Sequence, residues 1–262
     1  MNREIAALAA LLSALALFLP TRAQTFTHVD VDGLAIRMSI AGGGETTVVF
    51  ENGYAQPLET WGRVQPEVSS FARTVAYDRA GFGLSEVGPS PRDGRQIASE
   101  LRGALRAAKV SPPYILVGHS LGGLYVRAFA GMYPDEVAGL VLVDPMHESE
   151  ALEASSASPE LSSLRSTVAQ IRARAIPFGI PVTLISAMGA PDVPFTTRRM
   201  RASSTQRRDE RLADSLANGT WTRGVGGRFI VTHESGHNVP QEEPDLVIGA
   251  IRDLVEGLRA RP

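Results

Sequence analysis

"YILVGHSLGGLYVRAFAGMY", residues 114–133, passes from an apolar run through a serine set between two glycines into a stretch of helical character. "YILV" reads as a buried strand and "GLYVRAFAGMY" as a helix, so Gly118–Gly122 is the tight connection between them. A serine at such a bend takes a strained backbone conformation, and Gly118 and Gly122 leave the space that side chains would otherwise fill. The strain lifts the Ser120 hydroxyl clear of the sheet, while the following helix directs its partly positive N-terminus toward any developing anion. G-x-S-x-G is weak evidence alone; the strand before it and the helix after it supply the context the chemistry needs. The competing reading is a tight β-to-α turn without chemistry.

Working outward, strand-like and helix-like segments alternate along the chain. "HVDVDGLAIRMSI" (28–40) reads as a hairpin through Asp32-Gly33. Apolar, β-branched runs recur at 47–50, 74–77, 114–117, 137–143, 181–186 and 228–232, with helical stretches at 93–109, 122–132, 206–217 and 244–259. Continuous apolar strands separated by helices imply a mostly parallel sheet covered on both faces, with the hairpin adding antiparallel strands at one edge. Residues 146–178, rich in Ser, Ala and Glu, read as a small helical insertion placed to cap a site.

The 262 residues, 44% hydrophobic, suit one large domain with a full core. A net charge of −2 provides no basic field for nucleic acid or an anionic membrane surface. "RRMR" (198–201) and "QRRDER" (206–211) read as a solvated helix face. The first residues have export grammar: Arg3 in a short polar head, an apolar stretch from Ile5 to Leu19 broken by Ser13, then Pro20 and Ala23. That stretch is short of the roughly 20 residues that span a bilayer, so the expectation is a signal peptide over 1–23, a mature domain over 24–262, and a periplasmic or secreted protein with no stable membrane insertion. Without cysteine, neither a disulfide nor a lipoprotein anchor is available.

Four segments together resemble the α/β-hydrolase superfamily from about residue 30 onward: "ENGY" (51–54), "YDRAGFGLS" (77–85), "GHSLGG" (118–123) and "ESGHNVPQEEP" (234–244). The resemblance implies an α/β-hydrolase fold, with a mostly parallel eight-stranded sheet flanked by helices, and a triad of serine, acid and histidine. Ser120 is the expected nucleophile. His237, within "SGHN", matches the family's loop histidine; His28 sits in the first hairpin, His119 is locked beside the nucleophile with its side chain pointing elsewhere, His147 begins the insertion, and His233 ends the last strand as a structural or site-lining residue.

Two aspartates compete as the acid. Asp144 ends "GLVLVD" on the strand that supplies the acid in a minority of relatives; Asp192 follows the strand that supplies it in many, but lacks the usual Gly-x-x-Asp spacing. Asp144 is favoured. The backbone N–H groups of Leu121 and Tyr54 are the expected oxyanion donors. Asn52 stands where the family commonly has histidine, and Asp78 and Arg79 read as a bracing network that Glu51 either joins or leaves to face the site.

These residues imply a serine hydrolase cleaving a small-molecule ester or related acyl bond through an acyl-enzyme, with no cofactor or metal. The same fold also carries C–C hydrolases, lyases, cofactor-free peroxidases, amidases and non-catalytic binding proteins. Epoxide hydrolase and dehalogenase routes need a carboxylate where Ser120 stands. Leu152, Leu161, Leu164, Val168 and Ile171 either line an acyl pocket or form the insertion's own packing face.

Overall fold

A computed structural model describes residues 25–154, 157–189 and 204–260, with side chains of the last segment described from residue 209; the expected signal segment and Asp192 lie outside these residues. Eight strands form one sheet in the order β1-β2-β4-β3-β5-β6-β7-β8. β1 (Thr25–Val31) and β2 (Leu34–Ala41) make the leading hairpin, three residues longer at its start than expected. Asp32 and Gly33 both have positive φ, 54° and 85°, the pairing a two-residue hairpin turn requires. β2 joins β4 antiparallel, and every later pairing is parallel.

The remaining strands fall on the six apolar runs: β3 (Thr47–Glu51), β4 (Arg73–Tyr77), β5 (Tyr114–His119), β6 (Val137–Val143), β7 (Val182–Ala187) and β8 (Arg228–Thr232). Both β3 and β5 are buried at every position because helices cover both faces of the sheet. Side chains alternate between two cores, as period two demands. Tyr114, Leu116, Leu140 and Leu142 enter one core; Ile115, Val117, Val141 and Val143 enter the other.

Among the described residues the helices are α1 (Gln65–Ser69), α2 (Gly94–Ala107), α3 (Gly122–Met132), α4 (Glu148–Glu153), α5 (Pro159–Ser162), α6 (Leu164–Ala173), α7 (Ser204–Gly224), α8 (Val239–Glu242) and α9 (Pro244–Arg259). α2 and α3 supply the first core and α9 the second. The helix expected over 206–217 extends to Gly224, nearly doubling its length.

The insertion holds α4, α5 and α6. Leu161, Leu164, Val168 and Ile171 pack with Ile97, Leu124, Tyr125 and Ala128 of α2 and α3. Of the two readings of those apolar residues, the packing face is the one observed. Polar contacts dock the same helix: Asp93 Oδ2 accepts from Ser166 Oγ at 2.9 Å and from Gln170 Nε2 at 2.7 Å, and Gly94 N–H donates to Thr167 Oγ1 at 2.9 Å.

Gly122 marks the closest approach of α3 to the loop after β3. A Cβ there would lie 2.5 Å from Glu51 O and 2.6 Å from Asn52 O, both backbone atoms with little freedom to yield. Gly122→Ala is therefore expected to lower stability by about 1–3 kcal/mol, outweighing the ~1 kcal/mol helix-propensity gain. Urea unfolding should show a lower midpoint with an unchanged slope. A midpoint at or above wild type would contradict the close approach.

Candidate active site

Ser120 sits at the end of β5 with φ +52°, a left-handed conformation that a non-glycine residue adopts at a cost of about 1–3 kcal/mol. Neighbouring strands enforce it. Ser120 N–H donates to Val143 O at 3.1 Å, and Ser120 O accepts from Gly123 and Met146 N–H, each at 3.0 Å. Gly118 lets α3 cross the end of the strand, since a Cβ there would fall 2.7 Å from Gly122 O.

Asp144 follows the last residue of β6 and also has positive φ, 40°, with its N–H donating to Ile185 O at 2.7 Å. This second bend at the sheet's C-terminal edge turns the carboxylate toward the β8–α8 loop. Asp144 Oδ2 lies 2.7 Å from His237 Nδ1, and His237 Nε2 lies 2.8 Å from Ser120 Oγ. The three residues, 93 and 117 positions apart along the chain, thus form one continuous chain of hydrogen bonds. Asp144, the favoured aspartate, is in contact with the histidine.

The carboxylate is held ready as an acceptor. Burial raises its pKa, but the His237 hydrogen bond and charge, the Ala187 N–H at 2.9 Å and the nearby Arg211 together bring it below the usual carboxylate range. Arg211 Nη2 is 3.5 Å from Asp144 Oδ2 and donates to Ala187 O at 2.6 Å. The charged run containing Arg211 reads in the sequence as a solvated helix face; α7 packs along β7 and turns this one residue into the site, while Asp209 stays exposed. A charged run on a helix does not reveal which member points inward.

The loop bearing His237 is braced by the acidic residues that follow it. Glu242 accepts the Gly236 N–H at 2.7 Å, and Glu243 accepts from Thr232 Oγ1 at 2.6 Å and Ser235 Oγ at 3.0 Å. Sequence reasoning assigns these glutamates no role, although their place in "PQEEP" so soon after the histidine is a usable signal. His119 braces the loop from below, its Nε2 lying 2.8 Å from His237 O. That carbonyl can only accept, so Nε2 is the donor in this contact, while Nδ1 lies 2.9 Å from Gln56 Oε1. His28 and His233 are exposed and stand apart from the chain of hydrogen bonds, while His147 caps α4 and lines a small cavity beside Ser120. Glu150, Asp214 and Asn218 line the same cavity beside Pro145, Met146 and Ala187, giving it walls of mixed polarity.

The loop after β3 runs beside the Ser120 bend. Asn52 is buried, donating from Nδ2 to Tyr77 O and accepting from Trp61 Nε1, each at 2.7 Å. Asn in place of histidine thus still braces the loop. Gly53 N–H is engaged by Gln56 Oε1 at 3.0 Å, and the Tyr54 ring packs edge-on against Phe82. Asp78 accepts from Leu58 N–H at 2.7 Å and Leu84 N–H at 3.0 Å, the bracing function expected of it. Glu51 joins the buried network and pairs with Arg79 at 2.6 Å.

Residues 46–172 match the family model described as the alpha/beta hydrolase fold. The uncharacterized protein YqjL of Bacillus subtilis (strain 168) is 27% identical over 250 residues, covering 88% of this chain and 91% of that protein. Several other curated relatives are covered over only 15% to 44% of their own length. Among solved structures, a predicted CIB-like hydrolase from Thermoplasma acidophilum superposes with a TM-score of 0.65 at 20% identity, covering 90% of this chain and 99% of that one. Est1E from Butyrivibrio proteoclasticus, solved with ferulic acid bound, reaches a TM-score of 0.68 at 16% identity, covering 90% of this chain and all of that one. At such identities the structural likeness is one of fold.

His119 gives the site a pH signature. Burial, and secondarily the neighbouring His237, depress its pKa to about 3. The unfolded chain therefore takes up a proton near pH 6.5 that the folded protein refuses until near pH 3, so this contribution to stability is present above pH 6.5 and lost on acidification. The slope approaches about 1.4 kcal/mol per pH unit inside that window. Urea midpoints measured from pH 7 to pH 4 should fall steeply for the wild type and more gently for His119→Gln. Equal slopes would show that His119 is not buried in its neutral form.

Proposed function

This chain is a member of the α/β-hydrolase superfamily, and from that premise we propose that it is a serine hydrolase acting on carboxylic esters or closely related acyl bonds. The observation carrying this reading is the continuous chain from Ser120 Oγ through His237 to Asp144, at 2.8 Å and 2.7 Å. A serine hydroxyl is a weak nucleophile until a base takes its proton, and a base needs an orienting partner. All three groups here are within hydrogen-bond reach.

In the proposed cycle His237 Nε2 takes the proton from Ser120 Oγ as Oγ attacks the acyl carbon. Asp144 keeps the Nδ1–H oriented and stabilises the imidazolium. The negative charge moving onto the substrate carbonyl oxygen is met by the N–H groups of Leu121, at the start of α3, and Tyr54, in the loop after β3. His237 then protonates the departing alcohol, freeing it, and afterwards takes a proton from the water that attacks the acyl-enzyme. Acid is released and Ser120 regenerated. The small cavity beside Ser120 favours small or medium esters over long acyl chains, because His147, Glu150, Asp214 and Asn218 share its walls with Pro145 and Met146 and leave no continuous apolar surface. Apolar side chains of the insertion that an acyl tail would need are engaged with α2 and α3.

A fluorophosphonate should label the wild type and leave Ser120→Ala unmodified. On p-nitrophenyl esters of rising chain length, turnover should be highest for short and medium acyl groups and exceed that on aminoacyl-arylamides. Asp144→Asn should lower kcat by about 10³–10⁴-fold, the scale seen when a triad acid loses its charge. Turnover of Asp144→Asn within tenfold of wild type would move the acid role elsewhere, with Asp192 the next residue to replace. A folded wild type that takes no label would leave a binding protein on a hydrolase fold.

A further inference from the structure

A second buried polar cluster lies behind the loop that follows β3, and the proposed cycle makes no use of it. Its centre is Arg79, fully buried. The guanidinium donates from Nε to Glu160 Oε1 at 2.8 Å, from Nη1 to Glu51 Oε1 at 2.6 Å and to Asn52 O, and from Nη2 to Gly53 O at 2.7 Å. Its plane lies against the rings of Tyr125, 5.2 Å away, and Phe82, 5.5 Å away. Burial works against the arginine's charge, but Glu160 and Glu51 keep it firmly cationic.

The partners belong to different parts of the fold. Glu51 ends β3 and Asn52 and Gly53 open the following loop, whereas Glu160 comes from α5 in the insertion, 81 residues beyond Arg79. The insertion is therefore tied by a buried ion pair to the same guanidinium that grips two successive loop carbonyls. The second of these, Gly53 O, belongs to the peptide unit whose N–H is that of Tyr54. A trans peptide is planar, with its C=O and N–H pointing in opposite directions, so gripping the oxygen sets where the N–H points. A cation on the carbonyl also polarises the unit and strengthens the N–H as a donor.

We infer that Glu160 is a positioning residue for the oxyanion site: acting through Arg79, it fixes the Gly53–Tyr54 peptide so that the Tyr54 N–H faces the substrate oxygen. A buried ion pair is a poor way to gain stability, because desolvation offsets most of the attraction. A guanidinium held by carboxylates on two sides is, however, a rigid fork, and rigidity is what an oxyanion donor requires. The insertion thus has a role in the chemistry while contributing no group that touches substrate. This inference rests on the serine-hydrolase reading above.

The test compares Glu160→Gln with Leu161→Ala. Leu161 is the next residue of the same helix and packs in the apolar cluster beneath the insertion. Each variant is assayed on a p-nitrophenyl ester and on the corresponding thionoester, with kcat referred to the amount of Ser120 labelled by fluorophosphonate. Sulfur is a poor hydrogen-bond acceptor, so the ester-to-thionoester ratio reports the oxyanion donors and not general loosening. Glu160→Gln is expected to lower kcat on the ester about tenfold with KM changed less than threefold, and to lower the ratio at least threefold. Leu161→Ala should lower the melting temperature and leave the ratio at the wild-type value. An unchanged ratio in Glu160→Gln, or an equal fall in both variants, would overturn the inference. Should Glu160→Gln not fold, Glu160→Asp, which keeps the charge on a shorter arm, takes its place: a lowered ratio supports the inference and an unchanged one overturns it. A wild type with neither ester turnover nor label fails earlier and for a different reason, since it removes the serine-hydrolase reading itself.

Discussion

The left-handed bend at Ser120 is the constraint on which the rest of the site depends. A residue with φ +52° does not remain there unaided, and here three backbone hydrogen bonds and two crowded glycines hold it. Because Ser120 is pinned to Val143 at the end of β6 and to Met146 just beyond, its position is set by the sheet register and not by a mobile loop. Asp144, itself in a left-handed conformation one residue past Val143, shares that frame. The distance between the hydroxyl and the carboxylate is therefore fixed by the pairing of β5 with β6, and His237 has only to bridge a gap already of the right width.

Electrostatic preparation follows the same logic of fixed partners. Asp144 overcomes the cost of burial through His237, the Ala187 N–H and Arg211, which favour its charged form. For His119 burial under the His237 loop outweighs the hydrogen bond to His237 O and the Asp144 charge, so its ring is held neutral. Two histidines whose ring centroids are 4.8 Å apart are thereby given different tasks. One supports the loop from within the core, and the other faces the serine. On the opposite side Arg79 is balanced by Glu51 and Glu160, so the backbone that borders the site is clamped by charge as well as by packing.

Much of this is legible in the amino-acid order. The six apolar runs lie on strands β3 to β8, and the Asp32-Gly33 turn on the leading hairpin, since continuous β-branched runs and a turn dipeptide carry their own periodic signal. Ser120 and His237 are identifiable from the bend and from the closing segment. Asp144 is favoured over Asp192 by its place at the end of an apolar strand, and it does meet the histidine. What escapes is the set of supports: Arg211 turned inward from a charged run, Glu242 and Glu243 under the histidine loop, Gln56 on Gly53, and Glu160 reaching Arg79. For Arg211 and Glu160 the partner lies in a distant element, so no window of sequence displays the pair; Gln56, Glu242 and Glu243 have partners only a few residues away, but nothing in the local order says that their side chains fold back on those backbone and hydroxyl groups.

The amino-acid order alone determined the alternation of strands and helices, the cramped turn at Ser120 and the identity of the nucleophile and base candidates, because these depend on local backbone preference and on spacing within a few residues. Only the tertiary structure decided which acid meets the histidine and whether the insertion's leucines line a pocket or pack against helices. It also decided which charges become buried partners. Such questions turn on distances across the sheet, and those distances exist only once β5, β6 and the loop after β8 are brought side by side in a low-dielectric interior where a hydrogen bond of a given geometry forms or is lost.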